Sequence, residues 1–140
     1  MALIGQIGGL DVKILIDTGA QSNYVDSKLV AAAKLHSTPL DVKVPIALAD
    51  GSIRSITSQA VDVPIQIGKY VDYITCDILD IAQYDVILGT PWLDEKDCTI
   101  FWKKKKLVFT HNNAAVTLQI TPPIRSQTTY PLLCSTQFSQ

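Results

Sequence analysis

A chain of 140 residues with 47% hydrophobic residues is long enough to bury one core, and one domain is expected. Its 12 Lys and Arg balance 13 Asp and Glu, so charge gives no reason to expect a nucleic-acid partner. No apolar run is long enough to span a membrane. In chain order, 3–7 and 10–16 flank Gly8-Gly9, a hairpin signal with a tight turn. Residues 21–25 read as extended. Asp26 is the expected N-cap of a short helix over 27–35, and Pro39 ends that region. Residues 42–49 and 52–57 flank Asp50-Gly51, the strongest hairpin signal in the chain. Residues 59–67 alternate, with Pro64 marking an edge or bulge, and Gly68-Lys69 turns the chain into a strand over 70–79. Residues 84–88 are nearly all apolar and belong at the centre of a sheet. Pro91 opens a second short helix over 92–96. Strands over 99–102 and 107–110 bracket Lys103-Lys104-Lys105-Lys106, read as a solvated turn. One more strand is expected over 114–120. Thr121-Pro122-Pro123 then breaks regular structure, and 124–140 reads as a loose tail or linker. Many strands, two short helices and frequent turns predict an all-β, barrel-like domain over 1–112, with a C-terminal strand and tail over 113–140.

Cys76, Cys98 and Cys134 are odd in number and form no C-x-x-C, so buried reduced thiols are expected, which suits an intracellular protein. Met1-Ala2-Leu3-Ile4-Gly5 lacks a basic leader and is not read as a signal peptide. His36 reads as solvated or structural, and His111 has no evident partner. No G-x-S-x-G, H-E-x-x-H or P-loop occurs, and the scattered His and Cys make no metal site, so neither metal nor cofactor is expected.

The stretch Ile14-Leu15-Ile16-Asp17-Thr18-Gly19-Ala20 carries the chemistry. An apolar strand runs into a carboxylate where the chain leaves the core. A partly desolvated Asp is a candidate acid or base. Thr18 is expected to hold it through its hydroxyl, and Gly19 permits a sharp turn. Alone, Asp-Thr-Gly is weak evidence, because a strand followed by a turn whose Asp caps its own backbone reads the same way.

A second stretch, Tyr84-Asp85-Val86-Ile87-Leu88-Gly89, follows at a fitting distance, with Thr90-Pro91-Trp92-Leu93 after it. Over about 3–109 the pair resembles the retropepsins, the single-lobe aspartic proteases of retroviruses and LTR retrotransposons. The wording of 87–93 is most similar to the Ty3/gypsy branch. The resemblance implies a closed single-lobe β-barrel, active as a twofold homodimer. Asp17 would be catalytic, and Thr18 and Gly19 would support the site, Thr18 by bonding across the axis. Ala20 would line the substrate strand. Ala49, Asp50, Gly51 and Ser52 would form the tip of a flap. Ile87, Leu88 and Gly89 would pack behind the loop and help shape pockets. A peptide or polyprotein substrate would bind extended, as an added strand.

Peptide hydrolysis without a metal or a covalent intermediate needs one group to take a proton from water and one to protonate the leaving nitrogen. Two carboxylates sharing a proton do both, because close like charges cannot both ionise. This chain has one Asp-Thr-Gly and no Asp-Ser-Gly, so the second carboxylate is expected from a second copy. The resulting expectation is an aspartic endopeptidase processing a retrotransposon polyprotein, located in the cytoplasm or in virus-like particles, with no nucleic-acid or membrane contact by this domain. Two alternatives stand beside it. One is a cellular retropepsin-like protease of the ubiquitin-receptor type, where Gly19-Ala20-Gln21 also occurs. The other is a domesticated domain kept for dimerisation or peptide binding. Two departures from the retroviral pattern bear on the dimer. Thr90-Pro91 replaces polar and basic bracing residues, and the chain continues from Phe109 to Gln140.

Overall fold

Residues 1–48 and 51–121 are described by a computed structural model. Strands β1 (Ala2–Ile7) and β2 (Leu10–Ile16) form the first hairpin. Gly8 and Gly9 both adopt positive φ, 59° and 83°, as a tight turn between twisted strands requires. A short β3 (Tyr24–Asp26) leads into helix α1 (Ser27–Ala32). The helix stops short of the expected Leu35 because Lys34 takes a left-handed φ of 54°. Leu35 N–H then donates to Val30 O and Lys34 N–H to Ala31 O, a Schellman closure. Asp26 stands at the N-cap position, but its carboxylate accepts the Ile81 N–H at 2.9 Å instead of capping the helix.

Strands β4 (Ser37–Ala47) and β5 (Ile53–Ile67) form a long hairpin. Pro39 ends nothing; it pairs with Ser58 inside β4, where an edge strand tolerates its missing N–H. The two strands expected over 52–57 and 59–67 are one, interrupted by a bulge between Ala60 and Val63 with Asp62 at φ 52°. Strand β6 (Tyr70–Leu79) returns antiparallel to β5. Strand β7 (Val86–Leu88) then inserts between β2, to which it is parallel, and β3, to which it is antiparallel. The order β1-β2-β7-β3-β6-β5 closes on itself through β5 and β1, so the expected closed barrel is built of six strands. From Ile53 to Ser58, β5 pairs with β4 and not with β6, so this end of the hairpin stands off the barrel as a two-stranded arm.

Helix α2 (Thr90–Lys96) follows β7 with Pro91 in its first turn, as expected. Strands β8 (Thr99–Phe101), β9 (Lys106–His111) and β10 (Ala114–Gln119) make a second, antiparallel sheet. Thr121 N–H donates to Ala2 O at 2.7 Å and ties this sheet back to β1. The expected tail over 124–140 lies outside the described residues.

The barrel core is filled by Leu3, Ile7, Val12, Ile14, Val25, Val63, Ile65, Val86 and Leu88, all essentially inaccessible. Trp92, Leu107, Phe109 and Leu118 extend it under α2 and the second sheet. A polar cluster joins these layers. Trp92 Nε1 donates to Tyr70 Oη at 3.1 Å, Tyr70 Oη donates to Asp72 Oδ2 at 2.6 Å, and Lys96 Nζ pairs with the same oxygen at 2.7 Å. His111, for which the sequence offers no partner, lies 3.4 Å from Lys96 Nζ and meets the Tyr70 ring edge-on. Cys76 is buried and Cys98 partly buried, both as free thiols. Burial pushes the Cys76 thiol up to about 12, helped by Asp77, and that of Cys98 up to about 11.

Candidate active site

Asp17 leaves the end of β2 just as the strand runs out of a parallel partner. Its N–H donates to Leu88 O at 3.0 Å, so β7 sets the position of its backbone. One carboxylate oxygen, Oδ1, accepts the Gly19 N–H at 2.9 Å, and Asp17 O accepts the Ala20 N–H at 3.1 Å. The carboxylate is thus oriented by its own loop, and Asp17 remains partly accessible. The expected Thr18 bond to Asp17 is absent within the chain. Gly19 N–H supplies it, while Thr18 is exposed and its hydroxyl makes no hydrogen bond among the described residues.

Gly89 packs behind the loop. A Cβ there would lie 2.2 Å from Ser22 O and 2.6 Å from Ala20 O, so no other residue fits. Thr90 N–H donates to Ala20 O at 2.9 Å. Leu88 is fully buried and supports Asp17 through its carbonyl, whereas Ile87 turns to the other face and is partly exposed. Asp17, Thr18, Gly19, Ala20, Ile87, Leu88 and Gly89 therefore form one assembly. Gly51 and Ser52 lie at the end of the β4–β5 arm. There Leu48 N–H donates to Ser52 O at 2.8 Å, and Gly51, at φ 89°, donates its N–H to Leu48 O. Ala49 and Asp50 lie outside the described residues.

Three bracing residues were not singled out from the sequence. Asn23, 8% exposed, accepts the Gly89 N–H on Oδ1 at 3.0 Å and donates Nδ2 to Thr75 O at 3.4 Å. Asp85 accepts the Lys13 N–H at 2.8 Å and fixes the start of β7 against β2. Tyr24 lies next to Asn23 and pairs with Ile87. Burial raises its phenol, and the charges of Asp77 and Asp17 raise it further. None of these has a sequence signal, because each acts across strands distant in the chain. A hollow of about 320 Å³ beside the loop is bounded by Thr18, Thr90, Leu93 and Ile100. The loop itself, 17–20, presents one carboxylate.

Residues 13–117 match the model of the PEG10/RTL1 protease domain. The chain belongs to the PEG10/RTL1 protease domain family. Solved structures agree on the fold. The retroviral protease-like domain of Ddi1 from Leishmania major superposes with a TM-score of 0.65 at 16% identity, covering 87% of this chain and 94% of that one. EIAV protease complexed with the inhibitor HBY-793 gives a TM-score of 0.55 at 17% identity, covering 72% of this chain and 91% of that one. Family and fold together make this PEG10/RTL1-type domain a retropepsin-like aspartic protease domain.

Proposed function

We propose that this chain is an aspartic endopeptidase whose active unit is a homodimer, with Asp17 of each copy forming one half of a carboxylate dyad. The observation that carries this reading is the Asp17 loop. Its carboxylate is oriented by the Gly19 N–H and its backbone by Leu88 O, so one oxygen is held and the other is left to work. A single carboxylate cannot be base and acid in the same step; two sharing one proton can. In this reading a twofold axis beside the loop brings the second one, and the exposed Thr18 hydroxyl, which makes no hydrogen bond among the described residues, bonds across that axis. The dyad deprotonates a water, which attacks the carbonyl carbon of the scissile bond. The protonated carboxyl then donates to the leaving nitrogen.

Substrate binds as an extended strand between the loop face and the β4–β5 arm, which acts as the flap with Ala49, Asp50, Gly51 and Ser52 at its tip. Resemblance to the Ty3/gypsy branch favours a retrotransposon-type polyprotein as substrate and a cytoplasmic or particle-enclosed setting. The test is Asp17→Asn, nearly isosteric but unable to act as base. Cleavage of a polyprotein-derived peptide is expected to vanish while circular dichroism and melting stay unchanged. Turnover by the variant would overturn the assignment.

A further inference from the structure

The strand registers place a continuous row of side chains on the face that carries Asp17. Leu15 aligns with Ile87, Ile87 with Tyr24, Tyr24 with Asp77, and Asp77 with Gln59. The neighbours one position along, Ile16, Leu88, Val25, Cys76 and Ala60, are buried in the core, so the row faces the other way. Asp17 follows at the end of β2, and its charge reaches the Tyr24 phenol of this row. The row is apolar at the Asp17 end and polar beyond it.

Two features of the polar end point to a ligand. Tyr24 is 8% exposed, yet its hydroxyl makes no hydrogen bond among the described residues. The ring is packed in, and the hydroxyl is left open to an incoming partner. Asp77 is partly buried and accepts one side-chain hydrogen bond, from Gln59 Nε2 at 3.1 Å, and no Lys or Arg stands in the row to neutralise it. The group is held in register with the catalytic loop, because Asp77 N–H donates to Asn23 O at 2.8 Å. Carboxylate, phenol oxygen and amide oxygen together form an acceptor-rich, negatively charged set. Its complement is a side chain with several donors and a positive charge.

We propose that Tyr24, Asp77 and Gln59 form a recognition site for a lysine or arginine side chain of the substrate. This rests on the reading that the Asp17 face binds an extended peptide. Tyr24 lies two strands from β2, about 10 Å at ordinary strand spacing, and an extended peptide advances about 3.3 Å per residue. The basic residue therefore sits two or three positions from the scissile bond. A glutamate there would meet Asp77 as a like charge.

The experiment uses one extended peptide sequence with Lys, Arg, Leu or Glu placed in turn at each of the three positions on either side of the cleaved bond. kcat/KM is read with the wild-type chain, and binding of the same peptides with Asp17→Asn. Lys and Arg are expected to exceed Leu by about tenfold at one position, the size of one charge-assisted contact, and to exceed Glu by more. Asp77→Asn should flatten that preference, mainly through KM, and Asp77→Lys should turn it towards Glu. A merely structural role would not invert specificity. Tyr24→Phe should weaken the preference for Lys. Equal kcat/KM for Lys, Leu and Glu at every position, or an unchanged Lys preference in Asp77→Asn, would overturn the site while leaving the protease reading intact. Were no peptide cleaved, a Lys preference in binding would still uphold the site and refute proteolysis, and its absence would refute both.

Discussion

Asn23 Oδ1 accepts the Gly89 N–H at 3.0 Å across 66 residues of sequence, locking the start of α2 to the loop that carries Asp17. The amide is buried, so its loss leaves a donor without a partner. Asn23→Ala is expected to cost about 1–3 kcal/mol in guanidinium unfolding. Gly89→Ala should cost more, about 3 kcal/mol or above, because the Cβ meets two carbonyl oxygens with no room to shift. Unfolding midpoints indistinguishable from wild type would show that this clamp contributes nothing.

The Asp72–Lys96 pair predicts how stability responds to acid. Burial pushes the Asp72 carboxyl up, but hydrogen bonds from Lys96, Tyr70 and the Tyr73 N–H outweigh it and hold it below the usual carboxylate range. A lowered folded value means the contribution is present above the unfolded value, near 4, and is lost as pH falls through the folded one. Lys96→Met leaves Asp72 without its countercharge and should cost about 2–4 kcal/mol at pH 7, less than for a fully buried pair because Asp72 retains some exposure and its bonds from Tyr70 and Tyr73. The penalty should shrink steadily in unfolding experiments taken to strongly acidic pH. A penalty independent of pH would refute the ionic origin.

The β4–β5 arm predicts a mobile lid. From Ile53 to Ser58 it lacks the β6 partner, and Val42, Val44 and Ile53 are exposed along it. Amides over 44–56 should exchange faster than those of β2 and β7 in the free protein, and slow on binding a peptide inhibitor. Equal protection of both regions, with and without inhibitor, would count against a flap.

Much of the barrel is legible in the sequence because its cues are local. Gly8-Gly9 announces a hairpin, and the apolar runs into Asp17 and Gly89 announce strands that end at a loop. What is not legible depends on contacts between distant segments. The Lys34 turn shortens α1, yet lysine carries no preference for positive φ. The strands expected over 52–57 and 59–67 are one because Ser58 stays extended against Pro39 of β4, and the bulge at Asp62 falls inside the second of them. Asn23 and Tyr24 look like ordinary strand residues until register sets one against Gly89 and the other beside Ile87. His111 acquires meaning when β9 brings it to Lys96. The loop that bears Asp17 is thus readable from its own residues, and the shell that holds it is not.

The central claim is that two copies build one active site, and mixing tests it most directly. Wild-type chain at fixed concentration, near the dimer dissociation constant or above, is combined with increasing Asp17→Asn chain, and cleavage is followed. Mass action and random pairing predict that an equal amount of variant lowers the rate to about half, and a large excess abolishes it, because mixed dimers carry one competent carboxylate. Activity per wild-type chain should also fall on dilution. Activity that is indifferent both to added variant and to dilution would contradict the shared site and require a second catalytic group within one chain.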